Sequence, residues 1–96
     1  MDAIRSFLDQ EGRLKAFPAK RKKKLYCLIY LADKFTPGQE YAEREVNSLL
    51  NRWTCFEDPA TLRRELFDYG FLDRDRAGTC YRLAAQQPTA QTLGLE

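Results

Sequence analysis

The sequence contains no histidine, and its three cysteines, Cys27, Cys55 and Cys80, are widely spaced with no C-x-x-C pair. Zinc sites are usually built from histidine and cysteine sets, so we expect no metal site and no other cofactor. Without histidine, the chain also lacks the commonest general base and the usual activating partner of a serine or cysteine nucleophile. A phosphate-cradling glycine loop is missing as well. These absences together predict that the protein is not an enzyme.

Long apolar runs are also missing. No stretch is long enough to cross a membrane, and the most apolar segment, Leu25 to Leu31, is too short and too rich in tyrosine for a signal peptide. An odd number of widely spaced cysteines is typical of a reducing compartment, in which they behave as small apolar side chains. We therefore expect a cytoplasmic protein with no membrane partner.

Acidic residues are absent from one whole segment of the chain. Between Gly12 and Ala32 there is no acid, and we call the seven basic residues found there the basic segment: Arg13, Lys15, Lys20, Arg21, Lys22, Lys23 and Lys24. The formal net charge is +2, so the remaining residues carry a net charge of −5. A concentrated positive patch is a common footprint of a phosphate-bearing partner. The alternative is a solvated helix start that keeps an apolar helix soluble.

Hydrophobic periodicity predicts four helices. Residues 2–9 fit a short amphipathic helix, and residues 19–35 fit a long helix that is apolar nearly all round and therefore buried. Two further helices are predicted over residues 42–53 and 58–69, each with one apolar face. The side chains that we expect in the core are Leu28, Ile29, Val46, Leu49, Leu50, Leu62, Leu66 and Tyr81.

The third of the long helices and the segment after it have clear boundaries. Asp58 can cap the start of this helix, Pro59 suits its first position, and Gly70 can take the left-handed conformation just after its end. Residues 71–74 and 79–83 then read as the two strands of a β-hairpin.

A very short strand at residues 40–41 completes the order helix, strand, helix, helix, hairpin. This is the order of a winged helix-turn-helix, an α+β and mostly α fold with a short N-terminal helix, a three-helix core and a C-terminal β-hairpin wing. We expect a single domain over residues 1–83. Residues 84–96 are polar and lack periodicity, so we expect a flexible tail whose deletion leaves the stability nearly unchanged.

Three stretches of the sequence resemble the bacterial family called domain of unknown function 2087. They are FPAKRKKKLYCLIYLADKF, PGQEYAEREVN and DPATLRRELFDYGFLDRD, and the resemblance covers about residues 14–82. It implies a winged-helix module of unsettled activity, which in some members is attached to DNA-binding transcription-regulator domains. Two positions depart from the family pattern. Ala42 stands where a capping threonine is usual, and Cys55 stands where a polar residue is expected.

The third long helix and the hairpin tip supply further candidate contacts. Arg64 points outward from the helix, where it can read a guanine edge or hold a phosphate. Residues 58–69 nevertheless carry a net charge of −1, which disfavours docking on a polyanion. The alternative is a structural helix whose charges pair locally, for instance Arg64 with Asp68. Arg74 and Arg76, at the hairpin tip, are weaker candidates because acids stand beside them.

Four other side chains have both a structural and a functional interpretation, and we favour the structural one. Arg63 can reach a carboxylate or a backbone carbonyl rather than a ligand. Asn47 can bridge the second long helix to the third, or to the loop after the first. Tyr26 and Tyr30 can pack in the core, whereas the functional interpretation is a stacking surface for single-stranded bases.

These observations predict a non-enzymatic winged-helix module that binds nucleic acid, with DNA in a transcriptional regulator preferred over RNA. The expected phosphate contacts are the basic segment together with Arg64, Arg74 and Arg76. The alternative is a protein-interaction or dimerisation module, which the acidic third helix favours. A basic patch continuous with the third helix and the wing would support nucleic acid. A patch on the opposite face would support the alternative.

Overall fold

The chain folds into three α-helices and a small antiparallel sheet, preceded by a short 3-10 helix. A computed structural model describes residues 2–95. The 3-10 helix spans Asp2–Phe7, and the α-helices are α1 (Arg21–Ala32), α2 (Glu43–Trp53) and α3 (Pro59–Asp68). The strands are β1 (Tyr41–Ala42), β2 (Leu72–Arg74) and β3 (Cys80–Leu83). The α+β class and the predicted order of elements are therefore confirmed. None of the helices within residues 2–95 is long and apolar enough to span a membrane.

The sheet has the order β1-β3-β2, so the last strand lies in its centre. Tyr41 of β1 pairs with Tyr81, and Leu72 of β2 pairs with Leu83. This arrangement attaches the β2–β3 hairpin to the residues that immediately precede α2. The hairpin is consequently fixed against the helical part of the molecule.

The helix boundaries follow local sequence signals. Asp58 accepts a hydrogen bond from the backbone of Thr61, and Gly70 has a φ of +86°, as the sequence predicts for the two ends of α3. Ala42 gives α2 no side-chain cap. The carboxylate of Glu45 instead accepts a hydrogen bond from the Ala42 backbone N–H at 2.8 Å, which makes half of a capping box.

The core contains six of the eight side chains that the sequence predicts. Leu28, Val46, Leu50, Leu62, Leu66 and Tyr81 are buried. Ile29 and Leu49 are only partly buried, so their assignment to the core interior was wrong. Ile29 borders a surface cleft, because α1 buries its Leu25, Leu28 and Leu31 side instead.

The segment before α1 belongs to the core, although the sequence shows no clear periodicity there. Leu14 is fully buried, and its backbone pairs with Trp53 and Cys55 around the end of α2. Thr54 is also fully buried, and its hydroxyl donates to the carbonyl of Leu50 at 2.8 Å. This pairing ties the residues that precede the basic lysines to the end of α2.

The segment after β3 differs from the flexible tail that the composition predicts. The amide of Gln87 donates to the carbonyl of Phe71 at 2.9 Å, and Leu93 and Leu95 are only 6% and 8% exposed. Gly94, with a φ of +74°, makes the turn between these two leucines. A composition averaged over the polar segment hides the two apolar side chains that attach it to the core.

Candidate nucleic-acid interface

The exposed face of α3 lies between the start of α1 and the β2–β3 hairpin. On one side, the ammonium of Lys24 lies 3.0 Å from the carboxylate of Glu65. On the other side, the guanidinium carbon of Arg74 lies 4.1 Å from the centre of the Phe67 ring. Two residues along an α-helix are separated by about 200°, so Glu65 and Phe67 point to nearly opposite flanks. Basic side chains from α1 and from the hairpin therefore reach α3 from both sides, and Arg64 lies exposed between them.

Arg13, Arg21 and Lys24 are among the members of the basic segment that contact other parts of the protein. Arg13 donates three hydrogen bonds, to the carbonyl groups of Asn51, Arg52 and Thr54 at 3.1, 3.0 and 2.5 Å. The guanidinium of Arg21 donates to the carbonyl of Leu93 at 2.9 Å. The third is Lys24, through Glu65. The basic segment is thus not a uniform charged surface.

The other four members of the basic segment are exposed. They are Lys15, Lys20, Lys22 and Lys23. Lys20 is the N-cap residue of α1, and the first turn of that helix contains no acid. Positive charge at a helix start is unfavourable for the helix dipole. Such an arrangement is tolerated where the side chains remain in water, and it leaves Lys20 and Lys22 accessible to an anion.

A cleft of about 540 Å³ separates α3 from the hairpin. Its charged lining residues are Glu43, Arg63, Arg64, Asp68 and Arg74. Arg63 is fixed in its wall, where it donates to the amide oxygen of Asn47 and pairs with Glu43 at 3.3 Å. The prediction that Asn47 bridges α2 to α3 is therefore confirmed. The sequence did not mark Arg63 as part of a cleft; the signal was its position beside Arg64, at the edge of the apolar face.

The local ion pair that the sequence offers for Arg64 is not formed. Within residues 2–95 no ion pair joins Arg64 to Asp68, and Arg64 makes no hydrogen bond. Arg76 is likewise exposed, in the loop of the hairpin. That loop is held by the carboxylate of Asp75, which accepts hydrogen bonds from the hydroxyl and the backbone of Thr79, both at 2.7 Å. These bonds lower the pKa of Asp75, the hydroxyl bond most strongly.

The cysteines are poor nucleophiles in this fold. Burial raises the pKa of Cys27 to about 11. Loss of hydration is the main cause that raises the pKa of Cys55, and the nearby carboxylate of Asp9 adds to it. Loss of hydration likewise raises the pKa of Cys80, with a further contribution from the carboxylate of Glu40. These thiols therefore stay protonated at neutral pH. Within the described part of the chain, no three His, Cys, Asp or Glu side chains come together as a metal site.

An apolar cleft of about 780 Å³ lies between α1 and the C-terminal segment. Its lining includes Ile29, Phe35, Phe71, Leu83 and Pro88. The lining of this cleft is mainly apolar. An exposed apolar depression is a feature of protein-docking surfaces rather than of polyanion sites.

The tyrosines of α1 have structural partners. The hydroxyl of Tyr30 donates to the carbonyl of Gly12 at 2.6 Å. The ammonium of Lys34 lies 4.3 Å from the centre of the Tyr30 ring and 4.1 Å from that of Trp53. Tyr26 is partly buried against the core. Tyr30 is therefore already engaged on both its ring and its hydroxyl, in agreement with the structural interpretation.

Comparisons with known proteins identify a family but no characterised relative. No curated protein and no solved structure matches the chain significantly. A family model described as "Uncharacterized protein conserved in bacteria (DUF2087)" matches residues 13–83. That match covers the segment from the start of the basic segment to the end of β3, which is most of the chain. The protein therefore belongs to this family of bacterial domains of unknown function.

Proposed function

We propose that the protein is a winged-helix module that binds nucleic acid, with DNA in transcriptional regulation as its first target class. In this proposal α3 is the helix that faces the duplex and the β2–β3 hairpin is the wing. The element order and the β1-β3-β2 sheet are compatible with such a fold. The observation that carries the proposal is the approach of Lys24 and Arg74 to α3 from opposite flanks, which places one basic side chain of α1 and one of the hairpin against this helix.

Most of the affinity would come from phosphate contacts of the exposed lysines. Lys15, Lys20 and Lys22 are exposed candidates for this role, whereas Arg13 and Arg21 already bind backbone carbonyl groups. Phosphate contacts position a protein on a duplex but do not read its sequence. Arg64 is exposed at the centre of the outward face of α3, where it can hold a phosphate or read a base edge.

The acidic residues of α3 weaken this interface less than its net charge suggests. Asp58 accepts a hydrogen bond at the start of the helix, and Glu65 is paired with Lys24. Asp68 is then the acid that directly accompanies Arg64 on the exposed face. The net charge that α3 presents to a ligand is therefore less negative than its composition indicates, because Lys24 neutralises Glu65.

The test is a salt series of binding isotherms by fluorescence anisotropy, with mixed-sequence duplex DNA and with RNA. Replacing Lys15, Lys20 and Lys22 together by Gln should weaken binding at low salt. It should also reduce the slope of log affinity against log salt by up to about 2.7 for duplex DNA, if each lysine holds one phosphate. As a matched control, replacing Arg5, Arg44 and Arg52 by Gln removes the same charge from exposed positions outside the basic segment, α3 and the hairpin. A wild-type protein without affinity for DNA or RNA at low salt would refute the proposal.

A second candidate is a protein-interaction module. The apolar cleft between α1 and the C-terminal segment favours it, since this cleft offers the kind of surface that a partner chain buries. Light scattering over a range of concentrations tests the simplest partner, a second copy of the chain. Replacing Ile29, which is partly exposed in the cleft, by Ser should abolish a dimer that uses this surface.

A further inference from the structure

The cleft between α3 and the hairpin brings three arginines to one place. Arg63, Arg64 and Arg74 line it together with two carboxylates, those of Glu43 and Asp68. We infer that this cleft is a binding site for a single phosphodiester group, held by Arg64 and Arg74. The inference rests on the proposed function and deepens it, since it assigns one phosphate of the bound strand to a defined place.

Arg74 is already positioned for such a contact. Its guanidinium carbon lies 4.1 Å from the centre of the Phe67 ring, a distance typical of a guanidinium stacked on an aromatic face. This contact limits the positions of the guanidinium, and the exposed Arg74 side chain makes no hydrogen bond or ion pair within residues 2–95. Arginine binds phosphate oxygens with two parallel N–H groups, so a restricted guanidinium loses less entropy when it binds.

Arg63 and Arg64 have different roles in the cleft. The side chain of Arg63 is only 18% exposed, and its guanidinium is satisfied by Asn47 and Glu43. It therefore contributes positive potential in the wall rather than a free donor. Arg64 is exposed and makes no hydrogen bond or ion pair within residues 2–95, so its donors are free to turn toward the cleft.

The charges that line the cleft select the kind of phosphate. Three arginines and two carboxylates leave a net charge of +1. A phosphodiester carries one negative charge, whereas a phosphomonoester carries about −1.5 to −2 at neutral pH. The diester is neutralised by the cleft, while the monoester would leave it net negative beside Glu43 and Asp68. The volume of about 540 Å³ exceeds that of one phosphate and leaves room for the adjoining sugars.

The first experiment measures the affinity for a labelled mixed-sequence DNA duplex at low salt. We expect Arg64→Gln and Arg74→Gln each to weaken binding about tenfold, which corresponds to about 1.4 kcal/mol. Arg82→Gln is the matched control, because it removes the same charge from neighbouring β3 without lining the cleft, and we expect less than about a twofold change. Arg74→Lys should recover only part of the loss, since lysine keeps the charge but not the planar fork.

A double-mutant cycle tests whether the two arginines hold the same phosphate. If they do, the double Arg64→Gln/Arg74→Gln variant should be about 10 to 30 times weaker than wild type rather than a hundredfold, because the second substitution removes a contact already broken. Fully multiplicative losses would overturn the shared site. Single variants that match Arg82→Gln would overturn the cleft as a phosphate site and leave the proposed function intact.

A second experiment tests the phosphodiester site independently of duplex binding. It applies if the wild-type protein does not bind the duplex and the proposed function therefore fails. Dimethyl phosphate and inorganic phosphate are titrated into the isotopically labelled protein while the arginine Nε–H signals are followed by NMR. Saturable shifts of the Arg64 and Arg74 signals that are larger with dimethyl phosphate support the phosphodiester site. No saturable shift, or a preference for inorganic phosphate, overturns it.

Discussion

The ammonium of Lys24 lies 3.0 Å from the carboxylate of Glu65, and this ion pair joins the basic start of α1 to the middle of α3. The two residues are 41 positions apart in the chain. Both side chains are about one-fifth exposed, at 23% and 22%, so the pair is at the border of the solvent rather than in the core. It withdraws one lysine from the basic segment and one acid from the face of α3.

Replacing Glu65 by Gln should strengthen nucleic-acid binding. The change removes a negative charge from α3 and releases Lys24, which can then contact a phosphate and steepen the salt dependence by about 0.9. The cost in stability should stay within about 1 kcal/mol, as is usual for a solvent-accessible pair. Binding is measured by anisotropy and stability by urea unfolding. Glu11→Gln is the control for an exposed acid, and an equal gain in both variants would show that the ion pair has no particular role.

The sequence predicts α3 closely because its signals are local. Asp58, Pro59 and Gly70 mark the two ends within the helix and its immediate neighbours. The faces of α1 are harder to assign, since the helix is apolar nearly all round and no periodicity identifies the most buried side. The pattern therefore predicts a core position for Ile29, whereas the packing of the neighbouring elements leaves it at a cleft.

The candidate interface could be predicted only as a set of charges. The sequence identifies the basic segment and the hairpin arginines, but it does not show which of them the protein itself uses. Arg13 bonds to carbonyl groups 38 to 41 residues away, and no local pattern encodes such a contact. The stacking of Arg74 on Phe67 likewise depends on how the hairpin meets α3.

Deleting residues 86–96 should destabilise the protein, contrary to the expectation from composition alone. The deletion removes the buried side chains of Leu93 and Leu95, together with the hydrogen bond that Leu93 accepts from Arg21. Burial of one leucine contributes about 1.5–3 kcal/mol as an upper limit, so we expect a loss of about 2–4 kcal/mol in urea unfolding.

Point variants separate packing from chain length in that experiment. Leu93→Ser should reproduce much of the loss, whereas Gln91→Ser, at an exposed position of the same segment, should have little effect. Unchanged stability in the truncated protein and in Leu93→Ser would mean that the segment does not pack persistently in solution.

The hairpin loop should weaken in acid. Hydrogen bonds from Thr79 hold the pKa of Asp75 below its ordinary value of 3.8, so the folded protein binds fewer protons there than the unfolded chain. This contribution to stability is complete above the ordinary pKa and is lost as the pH falls through the lower, folded value. Asp75→Asn should therefore reduce the dependence of unfolding free energy on pH between about pH 5 and about pH 2. Asp73→Asn, an exposed carboxylate in β2, is the control, and equal effects of the two variants would contradict the loop's contribution.

Replacing Arg13 should mainly reduce the stability of the protein, whereas replacing Lys15 should mainly affect DNA binding, although both residues belong to the basic segment. Arg13→Gln removes donors from three carbonyl groups at the end of α2, and losing hydrogen bonds of a charged group should cost about 1.5–3 kcal/mol in urea unfolding. Lys15 is exposed, so Lys15→Gln should leave the stability within about 0.5 kcal/mol. Lys15→Gln should instead reduce the slope of log affinity against log salt for DNA by about 0.9, if the lysine holds a phosphate.

Because the guanidinium of Arg13 is already engaged, Arg13→Gln should leave this slope nearly unchanged in measurements made at a temperature where both variants are folded. A lower slope for Arg13→Gln with undiminished stability would show that this arginine leaves its carbonyl partners to contact the nucleic acid.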